Sequence, residues 1–589
     1  MTLKRLLSKF LVWRIRHLST KNFVIIVGGV VGIVGGFAAV SLKSTVHFIQ
    51  EHIREINVDY SYLLFPVIGI VLTAILAKYV LREQLGHGIT SILFYISKKS
   101  SIIHRNKMFS RMITSGITVG CGGSVGLEAP IVVTGSAIGS NIGRLMHLNY
   151  KQRTLMIGCG AAAAISGIFN SPVAGVIFSI EVILTDVTIG AFIPLLIASV
   201  LGSLVSMLLL GDDVLFSFEL TDPFEASDFI YFLFLGAICG LVSVYFTRVT
   251  LWTEKLISKV KSVFPRAVIG GIALTVIIFV LAPLYGEGYD SIKLILQGKA
   301  QEIVSSSALF SEVSNPWFIV IFGLGILLMK PFATGLTIGA GGNGGIFAPS
   351  LFIGGITGFL FSQVNNLLNF NQNISVSNFT LVGMCGVMSG VLHAPLTAIF
   401  LIAEITSGYT LFLPLMLVSA VAYSTNSYFE KYSFYTSKLI KSGDLIPSHD
   451  KDKQVLSLIS IEKMIEKDLL TIHPEQSLED LVSLIKKSRR NIFPVVTEKN
   501  ELKGIITLDD VREIMFNVES QKSVIAETLM HRPPETVQSN EKMSEVMAKF
   551  EKTGAWNLPV IDHGEYVGIV SKSRIFNAYR TKLRRQHKE

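Results

Sequence analysis

Long unbroken apolar runs, not amphipathic stripes, dominate the first three quarters of this 589-residue chain. They fall at 23–42, 63–80, 154–184, 190–210, 228–247, 267–284, 316–336, 345–364, 379–405 and 411–423. Several reach the roughly 20 residues that a helix needs to cross a bilayer core, and the longest read as tilted helices or broken pairs. Past residue 440 the pattern changes. DLVSLIKKSRR (480–490) and MSEVMAKFEKTG (543–554) have helical periodicity, and each is followed by an apolar strand, a turn, a second strand and a helix. The pattern predicts a multi-span α-helical membrane domain followed by a soluble α/β domain.

Charge divides the chain at the same place: 47 of the 149 residues from 441 onward are charged, against 48 of the first 440. An ordinary soluble enzyme is excluded for the first part, as are disorder and coiled coil. We place a basic segment at 1–22, the membrane domain at 23–440, a linker at 441–455, two soluble modules at 456–517 and 518–583, and a basic tail at 584–589. The first segment carries Lys4, Arg5, Lys9, Arg14, Arg16 and Lys21 and no acid, so this end is expected in the cytoplasm. A cleaved signal peptide is the rival, but 23–42 is long for one. The net charge of +9 comes mostly from the membrane part, where basic residues serve loops and lipid headgroups, so no nucleic-acid partner is required. The four cysteines lie in apolar runs without metal-ligand spacing and are assigned to packing, with no metal site.

The membrane part repeats itself. CGGSVGLEAP (121–130) aligns with AGGNGGIFAP (340–349), and SGIFNSPVAGVIFSIE (166–181) with SGVLHAPLTAIFLIAE (389–404), sharing Pro172/Pro395 and Glu181/Glu404. Membrane transporters are often built from two such halves with the substrate between them. A glycine-rich run ending in Ala-Pro ahead of an apolar stretch reads as a loop opening a helix. Helix N-termini offer unpaired N–H groups and a partial positive charge, so two converging at mid-membrane would bind an anion. Glu128 stands at the mouth of the first loop where the second has Phe347. A carboxylate there can occupy the anion site, compete with the permeant ion and leave when protonated.

These residues resemble the CLC family of chloride channels and transporters across essentially all of 1–440. GHGIT (86–90), GLEAP (126–130) and GGIFAP (344–349) match its three anion-path motifs in order; FNSPVAGVIFSIE (169–181) and KYSFYTSKL (431–439) add to the match. The resemblance implies that Glu128 is the gating glutamate and proton acceptor. It places the anion among Gly86, His87, Gly126, Leu127, Ala129, Ile346, Phe347, Ala348 and Tyr435, and implies a homodimer with one path per subunit, in two inverted halves of short tilted helices. Departures matter as much. His87 stands where the family has a serine that donates to chloride, which would make anion binding pH-dependent; the alternative is a ring turned away, leaving backbone amides to bind. Leu127 and Ala129 replace the family's Arg and Gly. Val182 stands where family exchangers carry a cytoplasm-facing, proton-relaying glutamate, and Glu181 beside it is expected to serve structure.

The tail resembles a tandem pair of CBS modules, anchored by Pro494/Pro559 and Gly504/Gly568. Thr507 and Asp510 have the spacing that contacts ribose and phosphate in nucleotide-binding modules, or they cap the following helix; the second copy has Ser571 and Arg574. The expected function is chloride passage, most simply as a passive channel with CBS regulation, in a multi-pass protein of the cell membrane with its CBS pair in the cytoplasm. A proton-coupled exchanger of the same family is the alternative, with protons as a second cargo. No cofactor is needed, an adenine nucleotide at the CBS pair would be regulatory, and the chain is not expected to be an enzyme. Two other classes stay in view: a CBS-regulated cation transporter, and a membrane hydrolase built on the G-x-S-x-G of Gly122–Gly126.

Overall fold

The computed structural model describes residues 13–14, 16–56, 61–83, 85–184, 189–211, 226–307, 309–310, 315–368, 374–406, 408–441, 456 and 459–588, the side chains of the final helix up to residue 581. Most of the basic 1–22 segment and nearly all of the 441–455 linker lie outside these residues, as do the side chains of the 584–589 tail. The chain forms two compact units, Met1–Leu445 and Ile446–Glu589.

The first unit is helical. Its order is α1 (Thr20–Glu55), α2 (Phe65–Ile75), α3 (Gly88–Lys98), α4 (Ser110–Gly120), α5 (Glu128–Leu145), α6 (Tyr150–Phe169), α7 (Pro172–Phe178), α8 (Ile189–Leu210) and α9 (Phe229–Ile257). It continues with α10 (Val263–Val280), α11 (Tyr289–Leu296), α12 (Ala300–Ser305), α13 (Pro316–Ala340), α14 (Phe347–Leu367), α15 (Val376–Leu392), α16 (Pro395–Ile405), α17 (Phe412–Phe429) and α18 (Phe434–Lys441). Among the described residues six helices are long and apolar enough to cross a membrane. The longest apolar runs are broken pairs. The 154–184 run turns at Asn170 and the 379–405 run at His393, both left-handed at φ 54°, and a proline opens the next helix each time. The 63–80 run winds from a 3-10 turn through α2 into a π-turn.

The packing obeys the repeat. Glycine lets α5 touch α6, and α14 touch α15, backbone to backbone: a Cβ on Gly135 would strike the Gly160 carbonyl, and one on Gly354 the Gly383 carbonyl. Gly139 meets the Met156 carbonyl just as Gly358 meets that of Phe379. Ser166 donates to the Ser199 carbonyl at 2.6 Å and Ser389 to that of Ser419 at 3.0 Å. All four cysteines are buried and free, as packing residues.

Most telling is a reciprocal cap. Glu404 accepts the Val173 and Ala174 N–H groups that open α7, at 2.9 and 2.8 Å, and its repeat partner Glu181 accepts those of Leu396 and Thr397 that open α16, at 3.2 and 2.8 Å. Each half thus satisfies a helix end that the other half leaves unpaired.

The second unit holds two strand-turn-strand-helix modules. Strands β1 (Ile492–Val496) and β2 (Leu502–Thr507) pair antiparallel, as do β4 (Asn557–Asp562) and β5 (Glu565–Ser571), with β3 (Val537–Gln538) parallel to β4. Before the first module, Glu466 bridges in antiparallel register to Ile569 of the second. Its buried carboxylate takes bonds from Ser571 (2.5 Å) and Arg490 (2.6 Å).

Candidate functional site

The two glycine-rich loops meet back to back. Gly126 N–H donates to the Gly345 carbonyl at 2.9 Å, and Gly345 N–H to the Gly126 carbonyl at 2.7 Å, so a residue pairs with its own repeat equivalent. The pseudo-symmetry axis therefore passes through this pair. From it α5 and α14 start, with Leu127 and Ile346 as their N-caps. Pro130 and Pro349 lack an N–H, so the amides left without helical partners belong to Leu127, Glu128 and Ala129 on one side and Ile346, Phe347 and Ala348 on the other. Leu127, Ala129, Ile346, Phe347 and Ala348 are among the residues expected from the motifs; Gly126 is not available as a donor, because its N–H is taken by the Gly345 carbonyl, and the Glu128 amide joins the set instead.

Two buried cations hold the loops, and sequence reasoning passed over both. Arg111 on α4 donates to the Asn343 side chain at 3.2 Å and to the Gly86 carbonyl at 3.0 Å. Lys330 on α13 donates to Ser124 Oγ at 3.0 Å and to the Gly286 carbonyl at 3.2 Å. Arg111 and Lys330 share the 219-residue offset of the first repeat block, as do Ser124 and Asn343, so each cation reaches across to the other half's loop. Thr118 accepts Asn343 N–H and Thr337 accepts Ser124 N–H in the same crossed way. Ser124, the would-be nucleophile of the G-x-S-x-G reading, spends its hydroxyl as the acceptor for Lys330.

These cations reveal a third repeat: Gly86-His87-Gly88 corresponds to Gly286-Glu287-Gly288. Gly88 packs on Val133 and Gly288 on Phe352, themselves repeat equivalents, and each loop leads into a helix, α3 or α11. The signal was present as G-x-G, but at an offset of 200, not 219.

Glu128 is 1 % exposed. Its Oε1 accepts from the Tyr289 hydroxyl at 2.6 Å, and its Oε2 is buried beside Gly126 in the neighbourhood of the Ala348 N–H, without a hydrogen bond of its own among the described residues. The carboxylate thus folds back toward the start of α14. Leu127 N–H is also engaged, by Glu287 Oε1 at 3.1 Å. Tyr435 is 1 % exposed, its hydroxyl has no hydrogen-bond partner among the described residues, and it lies within electrostatic reach of Glu128. Thr90 fixes it by donating to the Tyr435 carbonyl at 3.0 Å. His87 is brought to the same neighbourhood, but its ring is committed: Nε2 lies 3.0 Å from Glu254 on α9, and Phe434 packs edge-on against it.

The His87 and Glu287 loops face opposite ways. Arg54 at the end of α1 pairs with Asp290 at 3.4 Å, beside Glu287 and Tyr289. Glu254 lies at the end of α9, and the 18 residues of α10, about 27 Å of helix, separate its face from theirs. Glu181 and Val182 sit in a π-turn, Ser179–Ile183, that closes α7.

In the second unit Thr507 and Asp510 form a capping box: Asp510 accepts from Thr507 N–H (2.6 Å) and hydroxyl (2.7 Å), with His531 3.4 Å away. At the equivalent turn Ser571 is bonded to Glu466.

Comparison with known proteins agrees with this architecture. The sequence pattern of a family described as voltage gated chloride channel matches residues 69–427, and that of the CBS domain matches 461–517 and 525–581. The chain is 25 % identical to chloride channel protein CLC-f of Arabidopsis thaliana over 92 % of its own length and 78 % of the relative's. It is 29 % identical to the H(+)/Cl(-) exchange transporter ClcA of Vibrio cholerae over 51 % of this chain and 62 % of that one. Among solved structures it superposes on a slow cyanobacterial Cl-/H+ antiporter with a TM-score of 0.62 at 21 % identity, over 72 % of this chain and 98 % of that one. A eukaryotic CLC transporter gives 0.60 at 17 % identity, over 94 % and 99 %. The helical repeat, the crossed loops and the tandem strand pairs therefore have one reading: this chain belongs to the CLC voltage-gated chloride channel family and carries a C-terminal pair of CBS domains.

Proposed function

We propose that the chain passes chloride and similar small anions as a passive channel whose gate is Glu128. The observation that carries this is the Glu128 carboxylate seated against the start of α14, on the path between the two loops. Ionised, it competes with a permeant anion for the same amides; protonated, it loses the charge that holds it there. Leu127, Ala129, Ile346, Phe347 and Ala348 would then supply backbone donors and Tyr435 its hydroxyl, whereas the Gly126 N–H is already spent on the Gly345 carbonyl.

Passive flow is favoured because the family's relay position offers no acid: Glu181 is spent on capping α16, and Val182 offers no proton. One observation favours the exchanger instead, namely the His87–Glu254 pair, which puts titratable groups on the face where Val182 stands. In either reading the Glu128 face is the outer one, the N-terminus and the CBS pair are cytoplasmic, and two copies form the working protein. No cofactor takes part in ion passage, and a nucleotide at the Thr507–Asp510 turn would act only as a regulator.

The test uses purified protein in liposomes under a chloride gradient, with voltage clamped by a potassium ionophore and external pH followed. Chloride flux without coupled proton movement is expected. Protons driven uphill by chloride would establish the exchanger, and absence of any anion flux would overturn the function. Glu128→Gln is expected to keep anion flux and weaken its pH dependence.

A further inference from the structure

We propose that Glu287 is a second gating carboxylate, which occupies the Leu127 amide as Glu128 occupies the start of α14. The inference rests on the gating role of Glu128 and extends it from one carboxylate to two. Leu127 N–H is one of the few donors that the first loop can offer an anion, and it is already bonded to Glu287 Oε1 at 3.1 Å. An ionised carboxylate on a helix N-terminal amide is a charge-assisted acceptor, so a permeant anion must displace it as well.

The loop that carries Glu287 is built for this. It spans Gly286 to Tyr289 and contributes two contacts to the gate, the Glu287 carboxylate on Leu127 and the Tyr289 hydroxyl on Glu128 Oε1. Glycines at φ 65° and 95° flank Glu287 and set its direction. Lys330 pins the turn from beneath through the carbonyls of Gly286 (3.2 Å) and Glu287 (3.3 Å), while its third bond goes to Ser124. The ammonium therefore fixes the backbone of the turn, and its hydrogen bonds go to carbonyls and Ser124, not to the Glu287 carboxylate. Unlike Glu128, Glu287 as a residue is only half-buried.

The charged and titratable groups facing Glu287 are few. Glu128 approaches from α5, Tyr289 from α11, Lys330 from α13 and Lys43 from α1, with Tyr285 in the preceding turn and the Arg54–Asp290 pair at the rim. Two neighbouring carboxylates, one on the amide that opens α5 and one at the start of α14, titrate as a pair. Neutralising one leaves the other still in place, so full clearance of the amides takes two protons.

Chloride flux by the full chain in liposomes is measured from pH 8 to 10, equal on both sides, where an ordinary histidine is already neutral. A two-proton gate makes flux fall about 100-fold per pH unit on this limb, and a one-proton gate about 10-fold. Wild type is expected to follow the steeper slope, Glu287→Gln and Glu128→Gln each the shallower one, and the double variant to be nearly flat. A Glu287→Gln slope equal to wild type overturns the proposal. A Glu128→Gln slope equal to wild type overturns the underlying gate assignment instead. Should Glu287→Gln fail to fold, wild type alone decides: saturation with chloride in weak buffer at alkaline pH is expected to take up about two protons per subunit, and uptake of about one overturns the proposal.

Discussion

The loops at Gly86–Gly88 and Gly286–Gly288 are the same device used in two chemistries. Each is pinned by a buried cation of the opposite character, a guanidinium in one half and an ammonium in the other, and each opens a helix against an equivalent residue. Between the glycines, however, one carries His87 bound to Glu254, and the other Glu287 bound to a backbone amide of the path. Matched positions of the halves build scaffold, and so do some that differ, such as Arg111/Lys330 and Ser124/Asn343; Glu128/Phe347 and His87/Glu287 differ in charge and are the pairs on which the proposed gating rests. The positions where a repeat changes charge point to function more directly than the kept ones.

That contrast can be attacked at the kept positions first. Gly139→Val and Gly358→Val would each drive a side chain into a facing carbonyl, of Met156 or Phe379, and both are expected to abolish folded protein, read as loss of the size-exclusion peak. If one half tolerated the change, the halves would not be equivalent in packing.

Lys330→Met strips bonds from Ser124, Gly286 and Glu287 together, and buried polar atoms left unpaired cost about 1–3 kcal/mol each. Arg111→Met should produce a comparable fall in thermal midpoint. The reciprocal caps come next: Glu181→Gln and Glu404→Gln are each expected to cost about 1–2 kcal/mol, and a denaturation series giving clearly unequal losses would break the pairing.

The smallest effect lies in the second unit, where no repeat partner helps. Arg490 holds the exposed Asp468 carboxyl below its usual range through one guanidinium nitrogen that donates to both carboxylate oxygens, at 3.2 and 3.0 Å. A depressed folded value means that this contribution is present above the ordinary carboxylate range and lost as pH falls through the lowered value. Arg490→Met should flatten that acid limb, measured by hydrogen exchange in β1 as pH is lowered.

Much of this was legible from the residues. The apolar runs located the helices, and the Gly, Pro and Glu matches gave the repeat and the meeting of two helix starts. Arg111 and Lys330 escaped because they differ in type between the halves and lie outside the matched glycine blocks, so the repeat did not mark them until their partners were known. The Gly-Glu-Gly loop escaped because its offset differs from that of the main block. The engagement of Leu127 by Glu287 was beyond the sequence altogether, since it depends on how residues 160 apart are brought together in space.

The mutual capping of α7 and α16 also constrains how the protein is made. While the first half emerges during synthesis, the opening amides of α7 have no carboxylate; the one that will serve them lies about 230 residues downstream. An early fragment ending before Glu404 therefore lacks the carboxylate that caps α7. Maturation of the first half must wait for the second to be inserted, and a truncated transcript should yield a product that membrane quality control recognises by that uncapped end.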